Sequence, residues 1–229
     1  VVRLFTEYLA TCGIHAHIPC VPKVRDDYIP YIFSDAEMSA IFLTADSAKR
    51  YTRDRKTTNS QVLMPIILRI MYGCGTRIGE TLALTMGDVD LENGTLSLKK
   101  TKRSKERMVP MHPNLTKVLA DYCMALKIIS CPDRYLFENQ ENGKPISERR
   151  AQYLFDRLLN ETEIELPGRQ KHERGPCLHC LRHRFAIDSF IQAEQNRQCL
   201  DDAVPYLSIY LGHDSLEETQ KYLKFSARS

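Results

Sequence analysis

Residues 60–72 carry Val62, Leu63, Ile66, Ile67, Ile70 and Met71, a strongly apolar run. A segment of this kind reads as a buried helix, because apolar residues cover so much of its circumference that other elements must pack around it. It falls short of the roughly 18 apolar residues a bilayer span needs, so no membrane segment is expected. Pro65 is expected in the first turn of this helix or at a kink. Gly73 and Gly75 end it, and Thr76 is expected to cap a short following helix that carries Arg77, Glu80 and Leu84.

The elements around that helix follow from local signals. Residues 3–11 read as the end of a helix, and residues 12–33, with Pro19, Pro22 and Pro30, as a linker. Ser34 and Glu37 form a capping box ahead of Met38, Ile41 and Phe42. The charged stretch 46–58 reads as a loop or a frayed helix end. Residues 95–99 and 107–111 alternate as two strands joined by a polar turn at 101–105. Pro113 opens a helix to about residue 129, and Ser147 opens another to about residue 160. Residues 135–137 read as a short extended segment. Three helices close the chain, at about 178–195, 202–211 and 215–225, the second stopped by Gly212 and the third capped by Ser215 and Glu218. The expected fold is α+β, mainly α-helical, with a small antiparallel β-sheet or hairpin.

A length of 229 residues, 43% hydrophobic and 27% charged, fits a soluble globular protein of one large domain, or one domain plus a remnant of another. A cytoplasmic location is expected, beside the nucleoid if the source is bacterial. The net charge of +3 is compatible with nucleic acid without requiring it. Local clustering is more informative, since Lys99, Lys100, Lys102, Arg103, Lys105 and Arg107 crowd one segment. A solvated face is the ordinary reading of such a run, and neutralisation of phosphates is the sharper one. The eight cysteines are expected as reduced thiols in a chain this long and helical. Cys12, His15, His17 and Cys20 form one compact Cys/His group, and Cys177, His179, Cys180 and His183 form another. Four ligands in so short a stretch rarely close a tetrahedron, so no metal is expected.

His179 and Arg182 sit three residues apart, on one helix face. An H-x-x-R spacing is by itself weak and more often marks a surface pair or a cap. Near the end of the chain, LGHDSLEETQKYLKF places His213 directly after the Gly212 helix stop and Tyr222 nine residues later. Leu216 and Leu223 form the expected apolar stripe of the last helix, with Tyr222 about 120° away from it.

Taken together, GCGTRIGETLAL, HCLRHRFA and LGHDSLEETQKY resemble, in order, three boxes of the tyrosine recombinase family of lambda integrase, Xer and Cre. TKRSKERMVP resembles the fourth, a hairpin with an active-site lysine. The resemblance covers roughly residues 34 to 225. It implies a catalytic domain over 34–229, with 1–33 as the end of an N-terminal core-binding domain and its linker. By matching position it implies Arg77, Lys102, His179, Arg182 and His213 as catalytic residues and Tyr222 as the nucleophile, with Glu80 supporting Arg77. Lys100 and Lys105 stay open as alternatives to Lys102. It further implies double-stranded DNA recombination sites as partner, a homotetramer on DNA, integration or excision of a mobile element, and no cofactor. Lys99, Lys100, Arg103, Lys105 and Arg107 are the expected DNA contacts. Cys177 and Cys180 become flanking residues, and His183 is expected to pack or bond locally, outside the site.

Elementary chemistry agrees with these roles. An arginine fork binds two oxygens of an anionic phosphate and stays charged. A tyrosine of pKa near 10 needs nearby cations or a base as its oxygen attacks, and His179 is the candidate base. The departing 5′-hydroxyl needs a proton, for which Lys102 is the natural acid. His213 would donate a hydrogen bond to the phosphate or the nucleophile. A type IB topoisomerase uses similar chemistry, and a catalytically silent DNA-binding regulator could share the fold.

Overall fold

The computed structural model describes residues 2–20, 30–47, 55–99, 106–162, 164 and 175–226. Helix α3 (Arg55–Cys74) is its axis. Leu63, Ile66, Ile67, Ile70 and Met71 are all buried on it, as expected of a run that is apolar nearly all round. Helices α2 (Asp35–Ser47), α4 (Ile78–Leu82), α5 (Pro113–Ala125), α6 (Glu148–Glu161) and α7 (His179–Gln195) pack against it. Because α3 begins at Arg55, Pro65 lies inside it and not in its first turn. No helix among the described residues is long and apolar enough to cross a membrane.

The capping box at Ser34 forms: its backbone N–H donates to Glu37 Oε2 at 2.6 Å and Glu37 N donates back to Ser34 Oγ at 3.3 Å. Pro30 and Phe33, read from sequence as linker, are buried with the body of the domain. Arg184 of α7 fastens this entry by donating to the Phe33 carbonyl at 2.7 Å and pairing with Asp35. Helix α1 (Val2–Thr11) buries none of its own side chains.

The sheet is antiparallel, in the order β1 (Val89–Asp90), β2 (Thr95–Leu98), β3 (Arg107–Pro110). Leu96 faces Val109 across the β2–β3 pair, and both are fully buried. Strand β1 escapes sequence reading because two residues show no period. The expected hairpin turn lies outside the described residues. Residues 135–137 contribute one bridge, Tyr135 to Thr85.

Helix α5 begins at Pro113 as expected but stops at Ala125. Lys127 adopts a left-handed conformation, φ 55°, so that Ile128 N reaches back to Cys123 O at 3.1 Å and Lys127 N to Met124 O at 3.0 Å. That is a Schellman ending. No glycine marks it, which is why the sequence suggests a longer helix, and it turns Ile128 into the core.

The C-terminal part of α7 packs with α8 (Leu200–Leu211) and α9 (Leu216–Ser226). Ala186, Ile187, Phe190, Val204, Leu207 and Leu211 form a second, smaller cluster there, and Tyr222 is part of it.

Candidate active site

The turn after α8 is the centre of the site. Gly212 is left-handed at φ 64°, and a Cβ there would lie 2.9 Å from a guanidinium nitrogen of Arg107. Gly212 N donates to Ile209 O and His213 N to Ser208 O, each at 3.0 Å, another Schellman ending. The reversal carries His213 away from the helix axis. It also leaves the carbonyls of Leu211 and Gly212 side by side for other donors.

Two arginines take those carbonyls. Arg182 donates to Leu211 O at 2.8 Å and to Gly75 O at 2.7 Å, and is 1% exposed. Arg77 donates to Gly212 O at 2.8 Å. Gly75 makes the second approach feasible: it too is left-handed, φ 58°, and a Cβ would fall 2.4 Å from the ring of Phe185. Arg182 thus uses two of its five N–H donors and Arg77, counting its bond to Glu80, also two, and the remainder can serve an anion.

Glu80 organises the arginines. Its Oε2 accepts from Arg77 N at 3.0 Å, so Arg77 and not Thr76 is the cap residue of α4. Thr76 is buried and bonds to Thr81 instead. Oε1 accepts from Arg77 at 3.0 Å, and both oxygens accept from Arg107, at 3.0 and 2.8 Å. Burial pushes the carboxyl pKa up, but the Arg107 bonds, the Arg77 backbone bond and the two positive charges outweigh it, and the net shift is downward. Glu80 therefore contributes stability that is present above the unfolded carboxyl pKa and lost as pH falls through the lower folded value. Glu80→Gln is expected to cost about 3–5 kcal/mol, because it leaves two guanidiniums short of their counter-charge. Urea unfolding measures this, and a loss under about 1 kcal/mol would mean the arginines find water equally well.

Three histidines line the site beside Tyr222. The Tyr222 hydroxyl lies 2.8 Å from His183 Nδ1. His213 Nδ1 is 2.7 Å from the hydroxyl of the fully buried Thr219, and its ring stacks near Tyr222 with centroids 6.2 Å apart. His179 meets His183 edge-on at 4.6 Å. Burial, then the charges of Arg182, Arg77 and Arg107, pull the His213 pKa down to about 4. Desolvation, then Arg182 and Arg77, do the same to His179, also to about 4. The His179 residue is open to solvent, and the Arg182 and Arg77 charges bear on it directly.

His183 is pulled lowest, to about 3, by burial and then by the charges of His179, Arg182 and His213. Between that value and an ordinary 6.5, the unfolded chain takes a proton that the folded chain refuses. Stability is therefore expected to fall as pH drops below 6.5, by about 1.4 kcal/mol per pH unit from this residue. The urea midpoint should drop between pH 7 and pH 5, and His183→Asn should flatten the drop. An equally steep drop in the variant would place the titration elsewhere.

The residues expected from sequence divide as follows. Arg77, Glu80, His179, Arg182, His213 and Tyr222 come from four separate helix termini and helices and lie around this one turn. Lys100, Lys102, Arg103 and Lys105 lie outside the described residues. Lys99 is half-exposed and pairs with Asp88 at 2.7 Å. The fork of Arg107 turns inward to Glu80, its side chain is only 11% exposed, and it lies close against Gly212. Tyr222 departs from expectation. It is 7% exposed and shares the buried face of α9 with Thr219, whereas Leu216, the expected stripe residue, is 48% exposed. A phenol whose hydroxyl is satisfied by His183 buries as well as an aliphatic chain does, so the helix turns that face inward. His183 was missed. The available signal was its spacing, four residues beyond His179 on the same face of α7.

The sequence pattern of the phage integrase family matches residues 34–228. A Sinorhizobium fredii (strain NBRC 101917 / NGR234) protein named as an integrase/recombinase is 30% identical over 235 residues, covering 97% of this chain and 71% of its own length. Tyrosine recombinase XerC of Staphylococcus aureus is 29% identical over 231 residues, covering 98% and 68%. The Tn1549 transposon integrase, solved in complex with transposon right end DNA, superposes with a TM-score of 0.68 at 18% identity, over 96% of this chain and 71% of that one. The catalytic domain of bacteriophage HP1 integrase gives 0.52 at 21% identity, over 85% and 88%. At these identities the solved structures show a shared fold.

Proposed function

The chain belongs to the phage integrase family, and on that premise we propose that Tyr222 cleaves and rejoins DNA through a covalent 3′-phosphotyrosine. Site-specific DNA recombination is its activity. The observation that carries the residue assignment is the convergence of Arg77 and Arg182 on the adjacent carbonyls of Gly212 and Leu211, beside His213 and Tyr222. Arg77 and Arg107 pair with the one carboxylate there and Arg182 stands close enough to feel its charge, an excess of positive charge suited to a phosphodiester.

In this reading, Arg77 and Arg182 neutralise the nonbridging oxygens as Tyr222 Oη attacks phosphorus. The P–O5′ bond breaks, and the phenolic proton passes to an imidazole of the cluster. Lys102, or its neighbour Lys100 or Lys105, delivers a proton to the departing 5′ oxygen. The 5′-hydroxyl of a second strand then attacks the phosphotyrosine and releases the enzyme, so no external energy source is needed. His183 in its resting state is a poor base, because passing a proton from a phenol of pKa near 10 to an imidazole near 3 is uphill by on the order of 10 kcal/mol. It holds the hydroxyl; His179 and His213, whose depression comes partly from uncompensated arginine charge, regain basicity as a phosphate arrives. Tyr222 and Arg182 are both buried in the free chain, so DNA binding must shift α9 to open the site.

Residues 34–229 form the catalytic domain in this reading, with 1–33 as the end of a core-binding domain and its linker. Lys99, Lys100, Arg103 and Lys105 contact DNA. Exchange between two duplexes breaks four strands, and a chain with one nucleophile therefore acts as a tetramer. Integration or excision of a mobile element is the favoured setting, supported by the Tn1549 transposon integrase among the similar folds. The decisive assay supplies the ends of the element that encodes the chain and scores exchange between them. Relaxation of supercoils without exchange would instead mark a type IB topoisomerase.

A further inference from the structure

Cys177 and Cys180 enclose Leu178 and His179 in a C-x-x-C at the start of α7, and recombination chemistry makes no use of either thiol. Their sulfurs are 3.6 Å apart, in van der Waals contact. Cys180 N donates to Cys177 O at 2.9 Å. This turn holds the two Cα atoms closer than about 7 Å, within reach of a disulfide. Cys177 N in turn lies 3.4 Å from Cys180 Sγ. The pair is asymmetric: Cys177 is half-buried and Cys180 is 1% exposed. The hydrogen bond with the Cys177 sulfur, then burial, holds the Cys180 thiol in its protonated form. Among the described residues no group of three or more His, Cys, Asp or Glu could hold a metal.

We propose that Cys177 and Cys180 are a dithiol–disulfide switch at the N-terminus of α7, closed by a low-molecular-weight disulfide and controlling the position of His179. The accessible Cys177 thiolate attacks one sulfur of the small disulfide, giving a mixed disulfide and one released thiolate. Cys180 then attacks the Cys177 sulfur, the Cys177–Cys180 bond forms, and the second small thiolate leaves. The two protons of the cysteine thiols end on the two released thiols; the cysteine pair is oxidised by two electrons and the small disulfide is reduced by two. The positive end of the α7 dipole favours the attacking thiolate.

Closure moves the sulfurs from 3.6 Å to about 2.05 Å. The residues between them are held unequally. Leu178 is buried and its N–H donates to Gln152 Oε1 at 3.2 Å, and Cys180 is locked in the helix and the core. The exposed His179 is the one between them that can give way. The His179 ring, now beside Arg182, Arg77 and His183, would leave its place. The disulfide stands independently of the function proposed above, whereas its consequence for DNA cleavage rests on that reading.

The test exposes the whole chain to oxidised glutathione, alkylates remaining thiols and digests with trypsin. Residues 175–182, GPCLHCLR, contain both cysteines and lie between Arg174 and His183, so they emerge as one peptide. Expected is that peptide two hydrogens light and free of glutathione, while exposed Cys12, Cys20, Cys131 and Cys199 carry glutathione. Recovery of 175–182 as a dithiol, or with glutathione retained on Cys177, overturns the proposal. The His179 imidazole titration, followed by NMR, is expected to move up by at least about half a unit on oxidation as the ring leaves the arginines. An unchanged titration in disulfide-closed protein overturns the control of His179. Covalent trapping on nicked duplexes with randomised cores should fall at least tenfold on oxidation and recover with dithiothreitol, with Cys177→Ser insensitive to the oxidant. Failure of the reduced wild type to trap any DNA would count against the recombinase assignment alone, since peptide and titration still decide the switch.

Discussion

Tyr222→Phe is expected to abolish covalent attachment to DNA while leaving a folded chain. The substitution removes one oxygen. In the folded state that oxygen meets His183 Nδ1 at 2.8 Å, and His183 Nε2 already has no partner among the described residues. Losing the bond leaves a buried imidazole poorly satisfied, at about 1–3 kcal/mol. The ring keeps its packing among Ile187, Phe190 and Leu207, so circular dichroism and a urea transition should show a native fold of somewhat lower midpoint. The chemical loss is complete, because no other atom of the side chain can form the phosphoester. A nicked suicide duplex, whose released strand drifts away and prevents religation, reads this as a band that survives denaturing electrophoresis. Tyr206→Phe is the matched control: Tyr206 is on the neighbouring α8 and 77% exposed, and its variant should trap normally. Trapping by the Tyr222→Phe variant at the wild-type level would move the nucleophile to another tyrosine.

Arg182→Lys is expected to lower the cleavage rate by roughly 10²–10³, corresponding to about 3–4 kcal/mol of lost transition-state stabilisation. An ammonium retains the charge but cannot bridge Gly75 O, Leu211 O and a phosphate at once, since it lacks the planar fork. The same change should weaken the fold, because one of two buried carbonyls loses its donor and Gly75 and Leu211 are no longer tied together. The two effects separate experimentally. Single-turnover trapping at saturating DNA reports the chemical step, and urea unfolding reports the tie. A variant that is destabilised yet cleaves at the wild-type rate would make Arg182 a structural strut and leave Arg77 as the phosphate ligand.

The two variants also distinguish what a reader of the sequence can see from what packing decides. Helix α3, the order of elements, the β2–β3 pair and the cap at Ser34 were legible, because each rests on a local signal: an apolar run, an alternation, a Ser and a Glu three apart. The end of α5 was not, since a lysine occupies the left-handed position usually given to glycine. The six candidate site residues could be named from motif resemblance, each tied to a short run of neighbours.

Their relations could not. That Arg107 turns its fork to Glu80 depends on a contact 27 positions apart in sequence, and that Arg182 holds Gly75 depends on one 107 apart. That Tyr222 is buried against His183 depends on which side of α9 meets α7. A helical period specifies that one face is inward, but a single turn of apolar residues with a phenol beside it allows two choices. Only the surface offered by α7 and α8, with a histidine positioned to satisfy the hydroxyl, selects between them. The sequence by itself determined which residue types and helices are present. The tertiary structure decided which charges are compensated internally and how Tyr222 is held in the resting chain. Those choices are made by long-range packing and burial, to which local periodicity is blind.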